Sequence, residues 1–71
     1  MLLPFKKVDK RDFEKHLRNN GCTIVREGSR YEIWRNQRTG ETSAVPRHRE
    51  VKNGTVRAIC LQLEIAKPPN L

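Results

Sequence analysis

The stretch CTIVREGSRYEIWRNQRTGETSAVP, Cys22 to Pro46, constrains the fold most. Its β-branched and aromatic residues gather in short runs, parted by Gly28-Ser29 and by Asn36 to Gly40. Such residues favour an extended backbone, and turn formers cut the run into segments. Breaks this short join neighbouring strands antiparallel, so the spacing predicts a meander of three strands over 22–27, 30–36 and 41–46. Strand alternation puts Tyr31, Ile33 and Arg35 on one face of the middle strand, and Glu32 and Trp34 on the other. Only one face can meet helices.

The flanks supply those helices. In VDKRDFEKHLRNNG, Asp9 is a capping residue and Phe13 and Leu17, four apart, share a helix face; Gly21 then stops a helix over 9–20. In NGTVRAICLQLEI, the positions of Val56, Ile59, Cys60 and Leu63 predict an amphipathic helix over 53–63, with Asn53 or Thr55 near its cap. PRHREVKNG, ahead of it, reads as a polar loop. Pro68 and Pro69 end further order, leaving 66–71 as a tail, and no element is assigned ahead of Asp9.

The expected fold class is therefore α+β, in the order α-β-β-β-α, with both helices on one face of a three-stranded antiparallel sheet and the other face open. With 71 residues the chain makes one domain, residues 1–71 with a core over about 9–65, and can close a modest core without an obligatory metal or disulfide. This order and a basic balance match the double-stranded-RNA-binding-domain fold, which by itself says little about function.

Charge narrows the partners. Fifteen Lys and Arg stand against eight Asp and Glu, a net charge of +7, and the pI is about 10.1. Polyanions should be attracted, and a phosphate backbone is the commonest of these because bound Lys and Arg release its condensed counterions. Arg26, Arg30, Arg35, Arg38, Arg47, Arg49, Lys52 and Arg57 are interrupted by Glu27, Glu32, Glu41 and Glu50, the pattern of a folded face rather than a basic tail. Cys22 and Cys60 are far apart and join no Cys/His cluster, so no metal and no cofactor is expected. MLLPFKKVDK is neither a leader peptide nor a membrane span, so a cytoplasmic, reducing setting with free thiols is expected.

Several residues are candidates for function. Gly28 and Ser29, by default a hairpin turn, could let a phosphate approach the backbone, with Arg26 and Arg30 alongside. His48 lies between Arg47 and Arg49, a setting suited to phosphate contact or proton transfer. Lys52, Thr55 and Arg57 open the second helix, where free amides and the helix dipole favour an anion. Trp34 could stack a base on the open face, but a core or partner contact suits a lone Trp better. His16 reads as a surface or rim residue.

A helix ending in NNG, then CTIVREGS, RYEIWRN and TSAVPRHREVKNGTVRAICLQLEI, together resemble the HicA toxin family, small endoribonucleases of bacterial toxin-antitoxin pairs. The resemblance spans about residues 9–65 and rests on Gly28-Ser29, Val45-Pro46 and the KNGTVRAI opening of the second helix. It implies a fold like a double-stranded-RNA-binding domain that cuts mRNA without a metal, through a histidine just after the Gly-Ser turn, and a cognate HicB-like antitoxin that covers this histidine. The matching position here is Tyr31, which departs from the pattern. Cleavage by a 2′-hydroxyl needs one group to take a proton and another to return one. A histidine, titrating near ~6.5, can do either, whereas a tyrosine, near ~10, can hardly act as a base. A chain with Tyr31 in the catalytic position is expected to bind RNA and cut it poorly. The alternative is a non-catalytic module that holds RNA or an antitoxin through Arg26, Arg30, Arg47, Lys52 and Arg57.

Overall fold

The computed structural model describes residues 7–69 and 71. Residues 1–6, which hold most of the stretch read above as neither leader nor span, lie outside the described residues, as does Asn70. The elements are β1 (Lys7–Asp9), α1 (Lys10–Asn19), β2 (Cys22–Glu27), β3 (Tyr31–Asn36), β4 (Thr42–Pro46), β5 (Glu50–Lys52) and α2 (Asn53–Gln62).

The meander forms as its pattern requires. β2, β3 and β4 make an antiparallel sheet in that order. Its inner face buries Trp34 and Val45 against Phe13 and Leu17 of α1 and Val56, Ile59 and Cys60 of α2, with Cys22 and Leu63 completing the core. The alternation in β3 holds throughout: Glu32, Trp34 and Asn36 are buried, while Tyr31 and Arg35 are exposed. Trp34 is thus a core residue, with Arg18 lying over its ring at 5.0 Å.

Helix ends follow local chemistry. The Asp9 carboxylate accepts from the Arg11 amide at 2.8 Å and caps α1. Gly21, at φ +81°, takes the left-handed conformation that closes it. At the start of α2, Lys52 occupies the cap position without a side-chain cap bond, next to the expected Asn53. Asn53 and Thr55 already lie within the first turn. At its other end, the Glu64 amide donates to the Leu61 carbonyl (3.1 Å) and the Ile65 amide to the Cys60 carbonyl (2.9 Å). That pair of bonds is a Schellman closure, and it places Glu64 at φ 59°, where glycine is usual.

Two strands escaped the sequence pattern. The segment read as a polar loop contains β5, which pairs antiparallel with β1 through Lys7↔Lys52, Val8↔Val51 and Asp9↔Glu50. Val51 contributes to the core. The tail also departs from expectation, because it folds back: His16 Nε2 donates to the Ala66 carbonyl at 2.7 Å, and Leu71 packs against the core.

Candidate functional site

The end of the meander that carries the Gly-Ser turn is built by a register shift. Ile24 pairs with Trp34, but Arg26 rather than Val25 pairs with Ile33, so Val25 is the extra residue of a bulge. Without the shift, Arg26 would follow Ile24 onto the core face, since side chains alternate with a period of two. With it, Arg26 joins Ile33 and Tyr31 on the open face. The turn itself is tight. The Gly28 amide donates to the Tyr31 carbonyl at 2.8 Å, and a β-carbon at Gly28 would lie 3.1 Å from that same oxygen. A side chain there would need that oxygen to give by a few tenths of an ångström, so the close approach favours glycine.

The segment after β4 is held against this turn from two sides. The Arg47 amide donates to the Arg30 carbonyl at 3.0 Å, and the Lys10 amide donates to the Arg49 carbonyl at 2.7 Å. His48 lies between those two ties. Arg47 adds a third, since its Nη1 donates to the Gly28 carbonyl at 2.9 Å and lies 3.5 Å from the Glu27 carboxylate.

Beneath the site is a buried carboxylate. Glu32 Oε1 accepts from Trp34 Nε1 and from Lys10 Nζ, each at 3.0 Å. Burial alone would raise the carboxyl out of its usual range. The Trp34 and Lys10 hydrogen bonds, with the charges of Lys10 and Arg47, outweigh burial and leave it below its ordinary value. Lys10 therefore links two parts of the site: its amide holds the 47–49 segment, and its ammonium holds β3 next to Tyr31.

Ser29, Arg30, Tyr31, Arg47 and His48 line one open cleft of about 390 Å³. Tyr31 is 53% exposed, with Pro46 as its strand partner. The structure thus brings together five of the residues singled out in the sequence, and Arg26 and Gly28 border them. Lys52, Thr55 and Arg57 do not line this cleft; Arg57 faces a largely apolar depression with Cys60, Leu61, Ile65 and Lys67. Lys10 and Glu32 were missed as site residues. Nothing in their local pattern marks them, because their contact joins residues far apart in the chain.

The sequence matches the family model described as the HicA toxin of bacterial toxin-antitoxin over residues 11–65. The chain belongs to the HicA toxin family. No curated protein and no solved structure matches it. The HicA match covers α1 from Arg11, the whole meander, β5 and α2, and so includes the cleft at Tyr31. As a HicA family member, the chain is the toxin of a toxin-antitoxin system, and membership implies a cognate antitoxin as its partner.

Proposed function

We propose that this toxin is an RNA-binding, metal-independent endoribonuclease fold that acts on mRNA in the cytoplasm, with the cleft at Tyr31 as the place where the scissile phosphate binds. The supporting observation is the convergence in one cleft of a half-exposed Tyr31, the Arg30 guanidinium and the His48 imidazole, against a turn whose backbone is stripped of side chain at Gly28. An aromatic residue placed only for packing would be covered.

The chemistry asked of such a cleft is transfer within the RNA. The 2′-oxygen forms a bond to phosphorus, and the bond from phosphorus to the 5′-oxygen breaks. One group removes the 2′-proton, another gives a proton to the departing oxygen, and nearby positive charge stabilises the crowded phosphate between them. Arg30 supplies charge at the cleft wall. The Tyr31 hydroxyl is an O–H that can donate to the departing oxygen. His48 is the imidazole that lines the same cleft and is left for the accepting role. Tyr31 itself favours a second reading, in which the chain holds RNA or its antitoxin without efficient cutting.

A time course of RNA cleavage in the presence of a chelator, run on this chain and on Tyr31→His, separates the readings. A positioned acid or base is worth on the order of 10²- to 10⁴-fold in rate, so the histidine form should cut faster by about that factor. Equal cleavage by both would move the chemistry to His48. Binding without cleavage by either would leave a module that grips RNA.

A further inference from the structure

The cleft at Tyr31 shares its walls with two others. Ser29, Arg30 and Tyr31 also line a shallow depression with Arg26, Gly28 and Ile33. On the opposite side, Arg47 and His48 also line a cleft of about 540 Å³ with Asp9, Lys10, Arg11 and Arg49. The three form one groove that runs from the Gly-Ser turn, past Tyr31, to the start of α1.

We propose that this groove carries a single RNA strand past Tyr31 toward α1, and that Arg11 and Arg49 bind phosphates of the strand beyond the one at Tyr31. This rests on the reading of the Tyr31 cleft as an RNA site.

The cations along the groove divide into committed and free ones. Lys10 is committed to Glu32 and Glu14, both at 3.0 Å. Arg47 is committed to the Gly28 carbonyl and Glu27. Among the described residues, the guanidinium groups of Arg11, Arg26, Arg30 and Arg49 make no ion pair or hydrogen bond. They are spread along the groove rather than bunched at one point. Arg11 and Arg49 are both exposed. The helix end itself adds little, because the Lys10 amide is taken by Arg49 and the Arg11 amide by the Asp9 carboxylate. That carboxylate is the groove's one acidic wall at the α1 end, against four cationic side chains, Lys10, Arg11, Arg47 and Arg49. A neighbouring cleft on the other side of Asp9 has a mixed lining, with Asp12 and Glu50 set against Lys7 and His16 among apolar Val8, Pro68 and Leu71, and lacks the arginines of the groove.

A single strand fits this groove better than a duplex or an acidic protein. Tyr31 and Ile33 on the open sheet offer a platform on which a base can stack, and a basic channel beside an aromatic platform is how single strands are held without sequence readout.

The test measures binding of a short, labelled, mixed-sequence single-stranded RNA by the full chain across a salt series. Arg11→Ala and Arg49→Ala are compared with Arg57→Ala and with Arg38→Ala, a charge removed from the turn at the far end of the sheet. Each variant's melting point is recorded alongside. Loss of a phosphate contact on a single strand should lower the slope of log K against log salt by about 0.7 and weaken low-salt binding by roughly three- to tenfold. Arg11→Ala and Arg49→Ala should each show both effects, and Arg38→Ala neither. If the parent binds RNA while Arg11→Ala and Arg49→Ala bind as it does, or Arg57→Ala weakens binding as much as they do, the strand runs elsewhere and the inference is overturned. Binding of poly-L-glutamate is measured in parallel: if the two variants keep RNA binding but lose poly-L-glutamate, the surface belongs to an acidic protein and the inference is overturned. If the parent binds no RNA at low salt, the functional reading fails first and takes this inference with it.

Discussion

Lys10→Met removes the ammonium that ties β3 to α1 while keeping the aliphatic stem. In the native protein that ammonium is 3.0 Å from Glu32 Oε1, and the side chains are 13% and 8% exposed. The variant leaves the carboxylate with Trp34 Nε1 on the same oxygen and with the more distant charge of Arg47. Breaking a fully buried pair costs about 3–5 kcal/mol, and an exposed pair is worth less than ~1 kcal/mol. With a little water still reaching both side chains, and one hydrogen bond retained, a loss of about 2 kcal/mol is expected at pH 7. For a domain this small, with a total stability of about 5 kcal/mol, that lowers the melting point by roughly 8–16 °C. The sign with pH follows from the depressed Glu32 carboxyl. Its stabilisation is fully present above the ordinary glutamate value near ~4.3, and is lost as pH falls through the lower folded value. Without Lys10, burial gains ground, the carboxyl rises, and the variant is penalised mainly where it must carry charge. The gap between native and variant should therefore be widest at neutral pH and shrink by about pH 3. Urea unfolding followed by Trp34 fluorescence at both pH values measures it. A gap below ~0.5 kcal/mol at pH 7, or one unchanged at pH 3, would refute the reasoning.

Other perturbations test separate parts of the structure. Glu64→Gly relieves a left-handed residue inside the Schellman closure of α2 and should raise stability by about 0.5–1 kcal/mol, seen as a melting point several degrees higher. Cys22 and Cys60 are buried; burial raises both thiols, and Cys22 adds to the shift of Cys60, which reaches about 11. Neither should react with a thiol reagent at pH 8 until urea unfolds the chain, and stability should decline as pH climbs past the unfolded thiol value near ~8.5. Rapid native labelling would contradict the buried placement. Gly28→Ala presses a methyl group on the Tyr31 carbonyl oxygen, so in the Tyr31→His background it should slow RNA cleavage by about tenfold or more with little change in the far-ultraviolet dichroism.

Much of this architecture is legible in the chain. The meander, the exposed side of β3, the core faces of both helices and the stop at Gly21 all follow from period, turn chemistry and capping. They are local, and each lies within a few residues of its cause. What escaped is non-local or too short to show a period. β1 and β5 have three residues each, and their partners stand more than forty positions apart in the chain. The bulge at Val25 leaves no mark in composition, yet it decides that Arg26 faces out. Glu32 reads as one more charge in a basic stretch; only the fold shows that it is the buried acceptor of Trp34 and Lys10.

The same missed contacts explain why the cleft has a definite shape in so small a protein. A polar loop ending a meander would ordinarily let His48 wander, and a cleft lined by such a loop would be poorly ordered for chemistry. Here the segment is bounded by β4 before it and β5 after it, and β5 is fixed by β1, which runs directly into α1. Arg47 is tied to the Gly-Ser turn, and Arg49 to the first residue of α1. His48 is therefore carried on a span of three residues pinned at both ends, beside a turn that closes tightly at Gly28. The charge of Arg47 is used within the fold, which on the proposed reading leaves Arg30 and, farther along, Arg49 and Arg11 to meet a phosphate. On that reading, positioning and binding fall to different arginines. A charge-preserving Arg47→Lys change, which loses the planar fork but not the charge, should accordingly cost turn geometry and cleavage by the Tyr31→His form more than it costs RNA affinity. An equal loss of both in paired cleavage and binding assays would assign Arg47 to the RNA instead.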